Sequence, residues 1–139
     1  MSKVFLDTNV LAYALDRHDP RRRKRARALL TEIRNGPGGV VSTQVLQELF
    51  VVATKKLSVE PLRVKAMIHW FEKHFEVVVV SGSLIREATD CYVLNRLSFW
   101  DALIIVAAES ARAPTLYSED MNDGQSIRGV AIKNPFAGS

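Results

Sequence analysis

A chain of 139 residues, 47% hydrophobic and 24% charged, has the size and balance of one folded domain, which excludes a disordered chain and leaves little room for a second core. Its longest apolar runs, such as residues 102–108, fall well short of the roughly 18 residues a membrane-spanning helix needs, so no membrane association is expected. The one cysteine, Cys91, excludes an intramolecular disulfide and a multi-thiolate zinc site, which leaves oxygen-ligand metals open. The net charge of +4 is local, because residues 16–27 hold Arg17, Arg21, Arg22, Arg23, Lys24, Arg25 and Arg27 against only Asp16 and Asp19. The basic character is one patch, the footprint of a polyanion partner or a solvated face.

Asp7 interrupts the apolar run a signal peptide would continue, so a cytoplasmic protein is expected. Residues 3–6 read as a strand ending at Asp7-Thr8-Asn9, with a short helix after it carrying Val10, Leu11, Ala12, Ala14 and Leu15. Asp19 and Pro20 then supply an N-cap and a first-turn proline for a helix striped by Ala26, Leu29, Leu30 and Ile33, which Gly36-Pro37-Gly38-Gly39 terminates. The basic residues occupy its opening turns. Val40 and Val41 form a second strand, and Ser42 or Thr43 caps a helix with Val45, Leu46, Leu49, Val52 and Ala53 at helical spacing and Glu48 riding on it.

A further helix is expected from Ser58, with Pro61 tolerated in its first turn and Leu62, Val64, Met67, Ile68 and Phe71 apolar up to Phe75. Residues 77–80 are an unbroken β-branched run, the pattern of a strand buried on both faces. Residues 83–94 and 98–111 read as two more helices, and residues 115–117 and 130–132 as two more strands. The alternation implies an α/β fold, a three-layer αβα sandwich with a mostly parallel sheet, and residues 1–139 as a single domain.

In such a sheet, ligands bind at the carboxyl ends of the strands, near the point where strand order reverses. Asp7 follows its strand directly, Asp120 follows residues 115–117 after a two-residue interval, and Glu48 and Asp101 sit in the early turns of helices that begin at the same edge. Each acid also has a plain reading. Asp7 can act as an Asx-type cap, Glu48 as a solvated helix glutamate, Asp101 as part of a Ser98-to-Asp101 capping box, and Asp120 as one acid of a polar turn. Together they say more, since carboxylates about 4 Å apart repel by roughly 4 kcal/mol at an effective dielectric of about 20 and gather only around cations. An oxygen-only donor set favours Mg²⁺ or Mn²⁺ and hydrolysis of a phosphodiester without a histidine base. His69 and His74, five apart on one helix, offer no zinc pair, and no phosphate-binding glycine loop is present.

Four segments carry a family resemblance: Phe5-Leu6-Asp7-Thr8-Asn9-Val10-Leu11, the Glu48 helix, Ser98-Phe99-Trp100-Asp101-Ala102-Leu103-Ile104, and Leu116-Tyr117-Ser118-Glu119-Asp120. Together the chain resembles the PIN-domain ribonucleases, most closely toxins of the VapC type. The resemblance implies a five-stranded sheet ordered 3-2-1-4-5 and Mg²⁺ or Mn²⁺ held by Asp7, Glu48, Asp101 and Asp120, with Asn9 and Ser118 orienting the acids. It further implies an endoribonuclease, a homodimer and a small antitoxin partner. The fourth motif departs from the family's frequent Thr/Ser-Arg-Asp pattern, so Glu119 and Asp123 are added acids that either join the metal site or repel RNA. Arg21, Arg22, Arg23 and Lys24 are the candidate RNA contacts. Trp70, Phe71 and Phe75 are core or a dimer interface, and Trp100 is core or a site wall. The competing reading is a PIN-like RNA-binding or scaffold domain without turnover.

Overall fold

Phe5, Leu6, Val40, Val41, Leu116 and Ile132 have no exposed surface, because the strands carrying them are inner strands of one sheet. The computed structural model describes residues 2–137. Its elements run β1 (Val4–Leu6), α1 (Thr8–Tyr13), α2 (Pro20–Asn35), β2 (Gly39–Ser42), α3 (Thr43–Lys55), α4 (Pro61–His74), β3 (Glu76–Val78), α5 (Gly82–Leu94), α6 (Phe99–Ser110), β4 (Thr115–Tyr117), β5 (Ser126–Ile127) and β6 (Val130–Lys133). The sheet order is β3-β2-β1-β4-β6-β5, parallel throughout except for the β5–β6 pair. Helices α1 to α4 pack against one another, and α5 packs on α6. The chain steps outward from β1 to β2 and β3 and then returns past β1 to β4, and crossovers of one hand running in opposite directions fall on opposite faces of the sheet. The three-layer α/β arrangement expected from the alternation is the one found.

Local chemistry sets the helix starts. Asp19 accepts from Arg22 N ahead of Pro20, Ser42 from Val45 N, Ser81 from Leu84 N and Ser98 from Asp101 N. Helix α6 is buried along Ala102 to Ala108, as its all-round apolarity demands. Gly39 is required by close approach, since a Cβ there would stand 2.3–2.8 Å from three atoms of the Phe75 ring. Phe71 and Phe75 are buried, with Trp70 centred 5.2 and 5.5 Å from them, so these aromatics belong to the core. Among the described residues, no single helix is long and apolar enough to cross a membrane.

Three expectations are corrected. The sheet has six strands, because Ser126–Ile127 adds an antiparallel edge strand beyond Val130–Lys133 through a two-residue turn at Arg128 and Gly129. Both turn residues have positive φ, 52° and 77°, the geometry of a type I′ hairpin. The β-branched run at residues 77–80 is not buried on both faces, for β3 is the edge strand, paired only with β2, and Val79 is 70% exposed. Finally, α4 begins at Pro61 and not at Ser58, which lies in the left-handed region at φ 54°. The order of the remaining strands places β1 between β2 and β4, so strand order reverses there and a crevice opens at their C-terminal ends.

Candidate active site

Asp7 leaves β1 at the reversal and caps α1. It is only 7% exposed; Oδ1 accepts from Thr8 N at 2.7 Å, and Oδ2 accepts from the fully buried Ser118 hydroxyl at 2.9 Å. Ser118 follows β4, is held by its own N–H to the Lys133 carbonyl at 3.0 Å, and accepts from Met121 N at 3.3 Å. Burial pushes the Asp7 carboxyl up to about 6; the Thr8 and Ser118 hydrogen bonds oppose that shift, and the charges of Asp101 and Asp120 add to it.

The other acids reach the same cavity from three directions. Glu48 on α3 accepts from the Thr8 hydroxyl at 3.0 Å, and Asn9 on α1 donates to Asp120 Oδ2 at 2.5 Å. Asp101, in the first turn of α6, stands near both, since its charge raises the Glu48 carboxyl and Asp120 raises that of Asp101. Burial is the main cause of the upward shift at both Glu48 and Asp101, with the Thr8 and Ser98 hydrogen bonds acting against it. The cavity measures about 560 Å³ and is lined by Asp7, Glu48, Asp101 and Asp120 with Thr8 and Asn9. Its remaining wall is Gln44, Gln47, Val51, Val52 and Trp100, and no lysine, arginine or histidine lines it.

This donor set fits a hard divalent cation. Every charged group is an oxygen donor, the negative charge has no protein cation on the cavity wall, and three of the four carboxyls bind protons more tightly than usual. Among the described residues no group of three or more Asp, Glu, His or Cys side chains stands close enough together to hold a metal ion as placed. The four carboxylates border one cavity without closing on a common point.

The added acids of the fourth motif face elsewhere. Glu119 accepts from the Tyr13 hydroxyl and from Arg22 Nη1, both at 2.6 Å, and Asp123 accepts from Asn134 N at 3.0 Å, which fastens its loop. Neither lines the cavity. Arg22 also lies over the Tyr13 ring at 5.0 Å, so of the four basic candidates it is engaged internally. Arg21 and Lys24 are exposed and Arg23 partly so, and the first two border a second concavity of about 490 Å³ with Arg22 and Arg25. Sequence reasoning did not single out Gln44 or Gln47. The signal was available for Gln44, whose i,i+4 spacing to Glu48 puts both on one helix face.

The sequence profile of the PIN domain matches residues 4–122. The chain belongs to the PIN-domain family. No curated protein matches it significantly. Among solved structures, the PIN domain is similar to a toxin–antitoxin complex from Klebsiella pneumoniae (TM-score 0.70, 21% identity, 96% of this chain and 98% of that one). It is also similar to VapBC2 from Rickettsia felis bound to promoter DNA (0.68, 18%, 95% and 98%) and to VapC20 of Mycobacterium tuberculosis, a sarcin-ricin loop cleaving toxin (0.66, 19%, 84% and 89%). At these identities the likeness is one of fold.

Proposed function

We propose that this PIN domain is an Mg²⁺- or Mn²⁺-dependent endoribonuclease and the toxin of a toxin–antitoxin pair. The observation that carries the reading is the convergence of Asp7, Glu48, Asp101 and Asp120 on one cavity without a protein cation, at the strand-order reversal. Those four would hold the metal, with Asn9 and Ser118 as orienting groups. A bound divalent ion supplies Lewis acidity, making water a nucleophile near neutral pH and offsetting charge on the phosphate.

The chain's own residues prepare the site. Thr8 fixes two acids at once, its N–H on Asp7 and its hydroxyl on Glu48, while Asn9 holds Asp120 from the next position of α1. Three consecutive residues thus set the spacing of three carboxylates, which makes Asp7-Thr8-Asn9 the organising segment. Val51, Val52 and Trp100 add apolar surface to the same cavity.

The toxin assignment draws on structural neighbours that include a VapC toxin and VapBC complexes. An antitoxin partner, a homodimer and a cytoplasmic location belong to the same reading. The test is a 5′-end map of total cellular RNA after incubation with wild type or Asp7→Asn, each with Mn²⁺. Discrete cuts made by the wild type alone are expected. Identical maps would overturn turnover and leave an RNA-binding or scaffold domain.

A further inference from the structure

We infer that Trp100, with Gln44, Gln47 and Val51, forms a subsite for an unpaired nucleobase beside the carboxylates; this rests on the ribonuclease reading above. Trp100 immediately precedes Asp101 and opens a helix whose residues 102–108 are buried, yet it is itself 60% exposed. A tryptophan in that state forgoes most of the burial its large apolar ring normally gains. It is nonetheless held in place. The Phe99 ring meets it edge-on, with centroids 5.4 Å apart and planes at 78°, and its carbonyl accepts from Gln44 Nε2 at 3.2 Å. The indole is anchored at its base and uncovered beyond it.

The cavity lining holds two kinds of group: four carboxylates with Thr8 and Asn9, and, beside them on the α3 face that carries Glu48 and at the start of α6, the amides of Gln44 and Gln47 with Val51, Val52 and Trp100. A nucleotide is divided the same way, into a phosphate that requires a cation at the carboxylates and a flat base suited to an aromatic face and amide edges. The volume of about 560 Å³ lies in the range of small-molecule sites. A second observation concerns Gln44, which is 6% exposed and whose Oε1 is, among the described residues, a buried side-chain oxygen without a hydrogen-bond partner. A ring or exocyclic N–H of a base would satisfy that acceptor while Nε2 keeps its bond to the Trp100 carbonyl.

Stacking on one aromatic is sequence-tolerant but needs a base free of its pairing partner. The subsite therefore selects single-stranded or loop RNA over duplex, and Gln44 and Gln47 supply what base preference there is. Because no arginine or lysine lines the cavity, stacking rather than charge holds the nucleotide at this wall.

The test uses the intact protein with Ca²⁺ in place of Mg²⁺. In a Trp70→Phe background Trp100 is the one remaining tryptophan, and its fluorescence is followed on addition of an unstructured RNA oligonucleotide, the same sequence as a duplex, or inorganic polyphosphate. Quenching by the unpaired strand alone is expected. Independently, anisotropy of labelled RNA on a background with Trp70 intact should show Trp100→Ala binding roughly five- to a hundred-fold more weakly, with Trp100→Phe restoring most of the loss. Equal quenching by polyphosphate, or wild-type affinity in Trp100→Ala, overturns the subsite. So does quenching by an amphipathic helical peptide with no response to RNA, which assigns the wall to protein docking. Cleavage by Trp100→Ala at unchanged affinity and cut sites would leave the nuclease standing without the subsite. Quenching by RNA with no cleavage under Mn²⁺ would leave the subsite without the nuclease.

Discussion

Arg22 and Glu119 form a 2.6 Å ion pair that ties the first turn of α2 to the loop carrying Asp120. Tyr13 closes the triangle, accepting from Arg22 and donating to Glu119, each at 2.6 Å. Glu119 and Asp120 are neighbours in the chain, and this triangle holds one away from the cavity while Asn9 holds the other at it.

Glu119→Ala should therefore lower unfolding free energy by about 1–2 kcal/mol in urea denaturation, since a partly buried charge-assisted bond is lost. It should also weaken the Mn²⁺ response, because Asp120 loses its fixed loop. Arg22→Gln should share both effects while leaving the salt dependence of RNA binding unchanged. A flattened salt dependence in Arg22→Gln would show the guanidinium on phosphate instead.

Asp7 makes stability depend on pH with a definite sign. Its folded value of about 6 lies above the ordinary 3.8, so the folded state binds the proton more tightly and ionisation favours unfolding. The Asp7 contribution is most favourable below about pH 4, falls as pH rises toward 6, and is level above that. Asp7→Asn removes this penalty and should stabilise the protein at neutral pH by on the order of 1–3 kcal/mol, with the gain shrinking below pH 6. Urea midpoints that differ equally at pH 4 and pH 7.5 would count against the assignment.

Divalent metal should reverse that order. Saturation at about a hundred times Kd adds roughly 2.7 kcal/mol to a protein that binds the ion only when folded. Mn²⁺ is expected to raise the wild-type Tm and to act much less on Asp7→Asn and Asp101→Asn, with EDTA restoring the starting values. Equal shifts in all three proteins would remove Asp7 and Asp101 from the ligand set.

Exposed cations on α2 are expected to act on RNA affinity through counterion release. Reversing Arg21, Arg23 and Lys24 together should reduce the slope of log K against log salt by about 2, at roughly 0.7 per phosphate contact for single strands. Filter binding across a salt titration measures it, and an unchanged slope would mark these residues as a solvated face.

Local sequence determined much of this protein. The 3.6-residue periodicity of the helices, the short apolar runs of the strands, the caps at Asp19, Ser42 and Ser98, and the burial of residues 102–108 are properties of neighbouring residues, so the order of strands and helices is legible in the chain itself. Asp7-Thr8-Asn9 can be read as a strand-end acid segment for the same reason. Tertiary structure alone decided what depends on distant partners. Whether the β-branched run at residues 77–80 lies inside or at the edge is set by which strand stands beside it, and Ser126–Ile127 is too short to carry a period at all. Glu119 turns from the cavity because Arg22, 97 positions away in sequence, lies close enough to pair with it. Trp100 lines the cavity because the α3 residues Gln44 and Val51 form the wall beside it. Side-chain direction in a loop follows from through-space charge and packing, and these are settled only when the chain has closed on itself.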